Sequence, residues 1–121
     1  MHTNTDVMPR ILVVEDEALL AIEVKCVLEE RDFTVLGPAA SVAEGLQLIG
    51  NGHVDAAVLD LNLHNERSDA VADRLERLGV PFLFLTGHRT EMVPMRHRER
   101  PVLQKPVQPS RLLDGLRDLI R

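Results

Sequence analysis

Four short apolar stretches, each closing on polar residues, constrain this chain more than any other feature: Ile11-Leu12-Val13-Val14 before Glu15-Asp16, Ala56-Ala57-Val58-Leu59 before Asp60, Phe82-Leu83-Phe84-Leu85 before Thr86, and Val102-Leu103-Gln104 before Lys105. Strands buried on both faces of a parallel sheet read as continuous apolar runs, without the alternation of a half-exposed strand. Ligands of open α/β sheets gather just beyond the carboxyl ends of such strands. One rim of the sheet is therefore expected to carry Glu15, Asp16, Asp60, Thr86 and Lys105 together.

The segments between these runs have helical character. Ala18 to Arg31 sets Leu20, Val24, Val27 and Leu28 at helical spacing. Phe33 to Leu36 reads as a short second strand stopped by Gly37-Pro38. Ser41-Val42-Ala43-Glu44 fits a capping box, and Val42, Leu46 and Ile49 form the apolar stripe of a helix closed by Gly50-Asn51-Gly52. After Asp60 a polar loop, Asn62 to Glu66, leads to a helix with Val71, Leu75 and Leu78 inward and Gly79 as its stop. His88 to Arg100 has few apolar side chains and contains Pro94, which predicts a short or frayed fourth helix. Pro109-Ser110 opens a last helix with Leu112, Leu113, Leu116, Leu119 and Ile120 on one face. Strand and helix thus alternate, which predicts an α/β fold: a doubly wound, five-stranded parallel sheet in the flavodoxin-like order 2-1-3-4-5.

The 121 residues suit one domain, expected over 10–121 after a loose arm at 1–9, without room for a separate output module. A net charge of −5 and the absence of Trp and Tyr speak against nucleic acid as a partner. Cys26 is alone, and no leader or long apolar run is visible, so a cytoplasmic protein without membrane insertion is expected. His53, His64, His88 and His97 lack zinc-site spacing and read as surface residues. Arg89, Arg96, Arg98 and Arg100 read as a solvated basic loop.

Carboxylates crowded at one rim repel by a few kcal/mol per pair at roughly 4 Å and an effective dielectric near 20, so a cation is needed among them. Oxygen-rich sites of this kind suit Mg²⁺, with Mn²⁺ able to substitute. A carboxylate nucleophile, a divalent ion, a lysine and a hydroxyl are what phosphoryl transfer onto an aspartate requires, because that chemistry is mostly positioning and neutralisation of charge.

The runs Ile11-Leu12-Val13-Val14-Glu15-Asp16-Glu17, Val58-Leu59-Asp60-Leu61-Asn62, Leu85-Thr86-Gly87 and Lys105-Pro106 resemble, in this order and at these separations, the receiver domain of two-component response regulators. The resemblance covers about Arg10 to Ile120. It implies that Asp60 accepts a phosphoryl group from a histidine kinase or histidine phosphotransfer protein and that the phosphorylated domain switches its contacts with a downstream protein. It implies Asp16 as a direct Mg²⁺ ligand, Glu15 as one acting through water, and Asn62 as the donor of a main-chain carbonyl to the ion. Thr86 would be the switch hydroxyl and Lys105 the phosphoryl's ion-pair partner, with a cis bond to Pro106 common in the family. Such a domain catalyses only its own phosphorylation and slow dephosphorylation, so it is not expected to be an enzyme in the usual sense.

Two departures accompany the match. Val102 stands where many receivers have Tyr or Phe, so the usual aromatic readout is not expected. Phe84-Leu85-Thr86-Gly87-His88 resembles a variant of the Phe-Ala-Thr-Gly-Tyr run of a subgroup of short, stand-alone receivers, and phosphorylation is expected to order His88 to Arg100. Asn62 and His88 are the side chains expected to tune phosphoryl lifetime. The rival reading is a metal-dependent phosphatase, since Asp60-Leu61-Asn62 loosely resembles the nucleophile motif of haloacid-dehalogenase hydrolases, although Asp60 lies mid-chain for that family. A receiver module cut from a hybrid kinase is a further possibility.

Overall fold

The computed structural model describes residues 8–87 and 93–121. The elements run β1 (Arg10–Val14), α1 (Ala18–Glu29), β2 (Thr34–Ala39), α2 (Val42–Gly50), β3 (Ala56–Asp60), β4 (Asn62–Leu63), β5 (Glu66–Arg67), α3 (Asp69–Leu78), β6 (Phe82–Thr86), a 3-10 turn at Met95–His97, β7 (Val102–Gln104) and α4 (Pro109–Ile120). The main sheet is parallel in the order β2-β1-β3-β6-β7. With the small β4-β5 hairpin set aside, this is the expected order 2-1-3-4-5.

Two cores lie on the two faces of the sheet. One joins Leu12, Val14, Leu59 and Phe84 to α2 and α3 through Ile49, Val71 and Leu75, and the other joins Ile11, Val13, Val58 and Leu83 to α1 and α4 through Val24, Leu28, Leu112 and Leu116. β1, β3 and β6 are buried along nearly their whole length, which is why their residues are apolar on both sides. Each such Leu, Ile or Phe contributes about 1.5–3 kcal/mol by burial. The same packing leaves the strands' ends, and not their middles, as the place for polar groups.

Four expectations are corrected. β2 does not stop at Gly37-Pro38 but continues to Ala39, with a register shift against β1 between Leu12 and Val14. Gly37 accommodates the extra residue at φ 98, where a Cβ would meet the Val13 carbonyl at 2.9 Å. β2 is an edge strand, so Pro38, joined to Gly37 by a cis bond, deprives no neighbour of a donor. Leu78 is exposed on α3, and Ala72 takes the inward place beside Val71 and Leu75, because α3 ends at once on Gly79 in the left-handed conformation (φ 72).

The loop after Asp60 is not merely polar. It folds into the antiparallel pair Asn62↔Arg67 and Leu63↔Glu66 and buries Leu63. Glu66 Oε2 accepts from the Val42 N–H at 3.0 Å, which ties the hairpin to the start of α2. The capping box holds in a staggered form: Ser41 Oγ accepts from Glu44 N–H at 3.2 Å, while Glu44 Oε1 accepts from Ala40 N–H at 3.0 Å.

His97 is the last correction, since it is buried at 2% exposure and not on the surface. Its ring packs edge-on against Phe82 with centroids 5.4 Å apart, and Nε2–H donates to Asp73 Oδ1 at 2.7 Å. The basic loop is solvated as expected at Arg96 and Arg98, yet it is tied down: Arg96 grips Asp73 with two bonds of 2.8 and 3.0 Å, and Arg100 reaches Glu76 at 2.6 Å. Thus the expected irregular fourth helix is, over the described residues 93–100, a single 3-10 turn fastened to α3. His88 to Met92 lie outside the described residues, and with them the expectations for His88 and Arg89.

Candidate functional site

The parallel register brings the expected rim together. Val13 and Val14 lie opposite Val58 and Leu59, and Asp60 lies opposite Leu85, so the residues after β1 and at the ends of β3 and β6 share one edge. Lys105 follows β7 and is joined to β6 by its N–H donating to the Thr86 carbonyl at 2.8 Å. These residues meet at a shallow open pit of about 350 Å³ lined by Asp16, Glu17, Asp60, Asn62, Leu63, His64, Gly87 and Lys105.

Glu15, Asp16 and Asp60 each bring a carboxylate oxygen within 4.8 Å of the others. Glu15 and Asp60 are buried, at 2% and 3% exposure. Burial, the main cause, raises the Glu15 pKa to about 7, opposed by the Glu17 N–H donating to Oε2 at 2.9 Å and reinforced by the charge of Asp60. Burial also raises Asp60, in spite of the Lys105 ammonium donating to Oδ2 at 2.9 Å and the Asn62 N–H donating to Oδ1 at 3.3 Å.

Burial works against the charge on Lys105, but its bond to Asp60 and the charges of Asp60, Glu17 and Glu15 outweigh this and raise its pKa. The ammonium contacts three carboxylates: Asp60 Oδ2 at 2.9 Å, Glu17 Oε1 at 3.1 Å and Glu15 Oε1 at 3.2 Å. One cation for these acids leaves surplus negative charge. Glu15 Oε1 is buried without a directed hydrogen bond, so the donor set has an oxygen to spare for a hard cation.

The other expected residues stand as follows. Thr86 is buried at the end of β6, and the next residue, Gly87, lines the pit. Asn62 is exposed at the pit's edge, its Oδ1 accepting from Arg67 Nη1 at 3.4 Å. Val102 is 41% exposed on the edge strand β7, where it pairs with Phe84. Pro106 follows Lys105 through a cis bond. Cys26 is exposed on α1.

Sequence reasoning did not single out Glu17, or Leu63 and His64, which fall in the loop expected after Asp60. Glu17 stands at the N-cap of α1, yet its side chain makes no capping bond there. Its partner Lys105 is 88 positions away, a separation no local pattern reveals.

Among the described residues no helix is long and apolar enough to cross a membrane. The family model described as the response regulator receiver domain matches residues 11–117. The chain is 30% identical over 112 residues to the phyllosphere-induced regulator PhyR of Methylorubrum extorquens, covering 87% of this chain but 41% of PhyR. The solution structure of SdrG from Sphingomonas melonis Fr1 is similar with a TM-score of 0.83 at 40% identity, over 94% of this chain and 98% of that one. The BeF3-activated conformation of SdrG is similar with a TM-score of 0.77 at 41% identity, over 93% and 96% of the two chains.

Proposed function

The chain belongs to the response regulator receiver domain family, and from that premise we propose that it acts in the cytoplasm as a single-domain response regulator whose Asp60 takes a phosphoryl group from a histidine kinase or histidine phosphotransfer protein. The observation that carries this reading is the buried Asp60 carboxylate, held at 2.9 Å by Lys105 beside a further pair of acids at the mouth of the sheet. PhyR is longer than this chain, so its whole-protein activity is not transferred here. SdrG, matched over nearly its full length, supports a receiver acting without a fused output domain.

Asp16, Asp60, Glu15 and the Asn62 carbonyl are the groups that would hold Mg²⁺, Glu15 through water. The ion, when bound, supplies positive charge to the phosphoryl oxygens. Asp60 offers a carboxylate oxygen as nucleophile from a fixed position, since its other oxygen accepts from the Asn62 N–H. Lys105 neutralises charge gathering on the equatorial oxygens. Thr86, once the group is on Asp60, would turn its hydroxyl toward it, and the backbone bond from Lys105 to the Thr86 carbonyl couples the two. With Val102 on the exposed edge in place of an aromatic ring, the output passes instead through the segment that follows Gly87.

Nothing favours the hydrolase alternative. Asn62, two residues after Asp60, offers an amide that cannot act as acid or base. The test is incubation with Mg²⁺ and acetyl phosphate, followed by intact mass. Wild type should gain one phosphoryl group and Asp60→Asn none, and beryllofluoride should bind wild type as it does SdrG in its activated conformation. Many turnovers of the phosphodonor without label accumulating on the protein, or equal labelling of the variant, would refute the reading.

A further inference from the structure

The Lys105 ammonium donates to Asp60 and Glu17 and is ion-paired with Glu15; the Glu15 and Asp60 side chains are 0% and 4% exposed while that of Glu17 is 66% exposed. Glu17 is therefore the one that reaches Lys105 from the solvent side. Its place is set by the backbone, because its N–H donates to Glu15 Oε2 at 2.9 Å. At the N-cap of α1 a carboxylate would ordinarily accept from the first helical N–H groups, yet this one makes no such bond and spends its oxygen on Lys105 at 3.1 Å. The Glu17–Lys105 pair also stands between two depressions. Both residues line the phosphoacceptor pit, and both line a neighbouring groove with Leu19, Leu20, Glu23 and Pro106.

We propose that Glu17 is a positioning residue that holds the Lys105 ammonium in its resting place and so restrains phosphoryl uptake at Asp60. The inference rests on the phosphoacceptor reading above. In the transfer, an Asp60 oxygen forms a bond to phosphorus as the phosphorus–donor bond breaks, and the departing group keeps that electron pair; from acetyl phosphate it leaves as acetate. The single negative charge of the carboxylate is replaced by an acyl phosphate carrying about two at neutral pH. Lys105 must give up its contact with Asp60 Oδ2 and follow the new oxygens. Glu17 opposes this twice, by competing for the ammonium and by repelling the arriving anion. Glu15 makes a similar contact but is buried against the sheet, whereas Glu17 can be changed without opening the core.

The experiment compares wild type, Glu17→Gln and Glu23→Gln with acetyl phosphate and Mg²⁺, following uptake by intact mass, while the Lys105 ¹⁵Nζ signal is followed in metal-free protein without phosphodonor. Gln keeps the size and an acceptor oxygen and removes only the charge. Glu17→Gln should take up label about fivefold faster than wild type, the effect of one partly screened ion pair. Its Lys105 ammonium protons should exchange faster with water. Glu23→Gln, in the same groove but not among the carboxylates paired with Lys105, should stay within about twofold of wild type. Equal or slower uptake by Glu17→Gln, an unchanged Lys105 signal, or an equal gain in Glu23→Gln would overturn the proposal. Wild type that takes no label would instead defeat the assignment of Asp60.

Discussion

His97 Nε2–H donates to Asp73 Oδ1 at 2.7 Å, a partly buried bond that helps fix residues 93–100, which form no α-helix, to the flank of α3. Asp73 also takes both bonds from Arg96, while Arg100 joins Glu76 and lies 4.3 Å over the Phe82 ring. Because β6 carries Phe82, Phe84 and Thr86 on one strand, this clasp rests on the strand that ends at the site.

Removing the buried partner should cost far more than removing the exposed one. His97→Ala loses an aromatic packing contact and leaves a cavity, and urea denaturation should show a loss of about 2–4 kcal/mol. Arg96→Ala should cost much less, because the pair with Asp73 is solvated. Equal losses in the two variants would mean that the clasp is held by surface charge and not by the ring.

The Glu15 carboxyl predicts an unusual pH dependence in metal-free protein. Its folded pKa, raised to about 7, lies above the unfolded value of 4.5. Between those values the native state binds more protons than the unfolded one, so stability falls as pH rises from about 4.5 to 7 and is lowest above 7. Going from pH 8 to pH 5 should stabilise wild type relative to Glu15→Gln by about 1–3 kcal/mol in urea. Parallel curves for the two proteins would exclude it. Asp73 has the opposite sign: Arg96 lowers its pKa to about 2, so its contribution is complete above the unfolded value of 3.8 and is lost as pH falls toward 2.

Neutralising the proposed nucleophile should stabilise the fold. The raised pKa of Asp60 means that the native state disfavours its charge. Asp60→Asn should therefore melt about 2–5 °C above wild type in EDTA at pH 7.5. Mg²⁺ should raise the melting temperature of wild type and narrow that gap. A variant less stable than wild type without metal would show that the Lys105 bond outweighs burial.

The hairpin and the capping box hold α2 from two sides. Ser41→Ala should cost about 1 kcal/mol and Glu66→Ala about 0.5 kcal/mol. Amide exchange at Val42 should accelerate in Glu66→Ala, which loses the 3.0 Å bond to that N–H. Unchanged exchange there would exclude the hairpin as a support of α2.

The strands, their order and the convergence of Asp16, Asp60 and Lys105 were legible because strands buried on both faces must be uninterruptedly apolar, as in Ile11 to Val14 and Phe82 to Leu85, and the first polar residue marks where the sheet meets solvent. Helix ends were legible for a similarly local cause, since Ser41 and Gly79 satisfy backbone groups within a few positions of themselves and Pro109 brings no N–H to the unpaired first turn of its helix. The continuation of β2 past Gly37-Pro38, the burial of His97 and the turn of Glu17 toward Lys105 were not. Each depends on a partner brought alongside by the winding of the sheet: β1 for β2, Asp73 and Phe82 for His97, and Lys105 for Glu17. Periodicity and capping report interactions within about one turn of the chain, whereas a charge finds a counter-charge by distance in space, which the order of residues does not encode until the chain has folded.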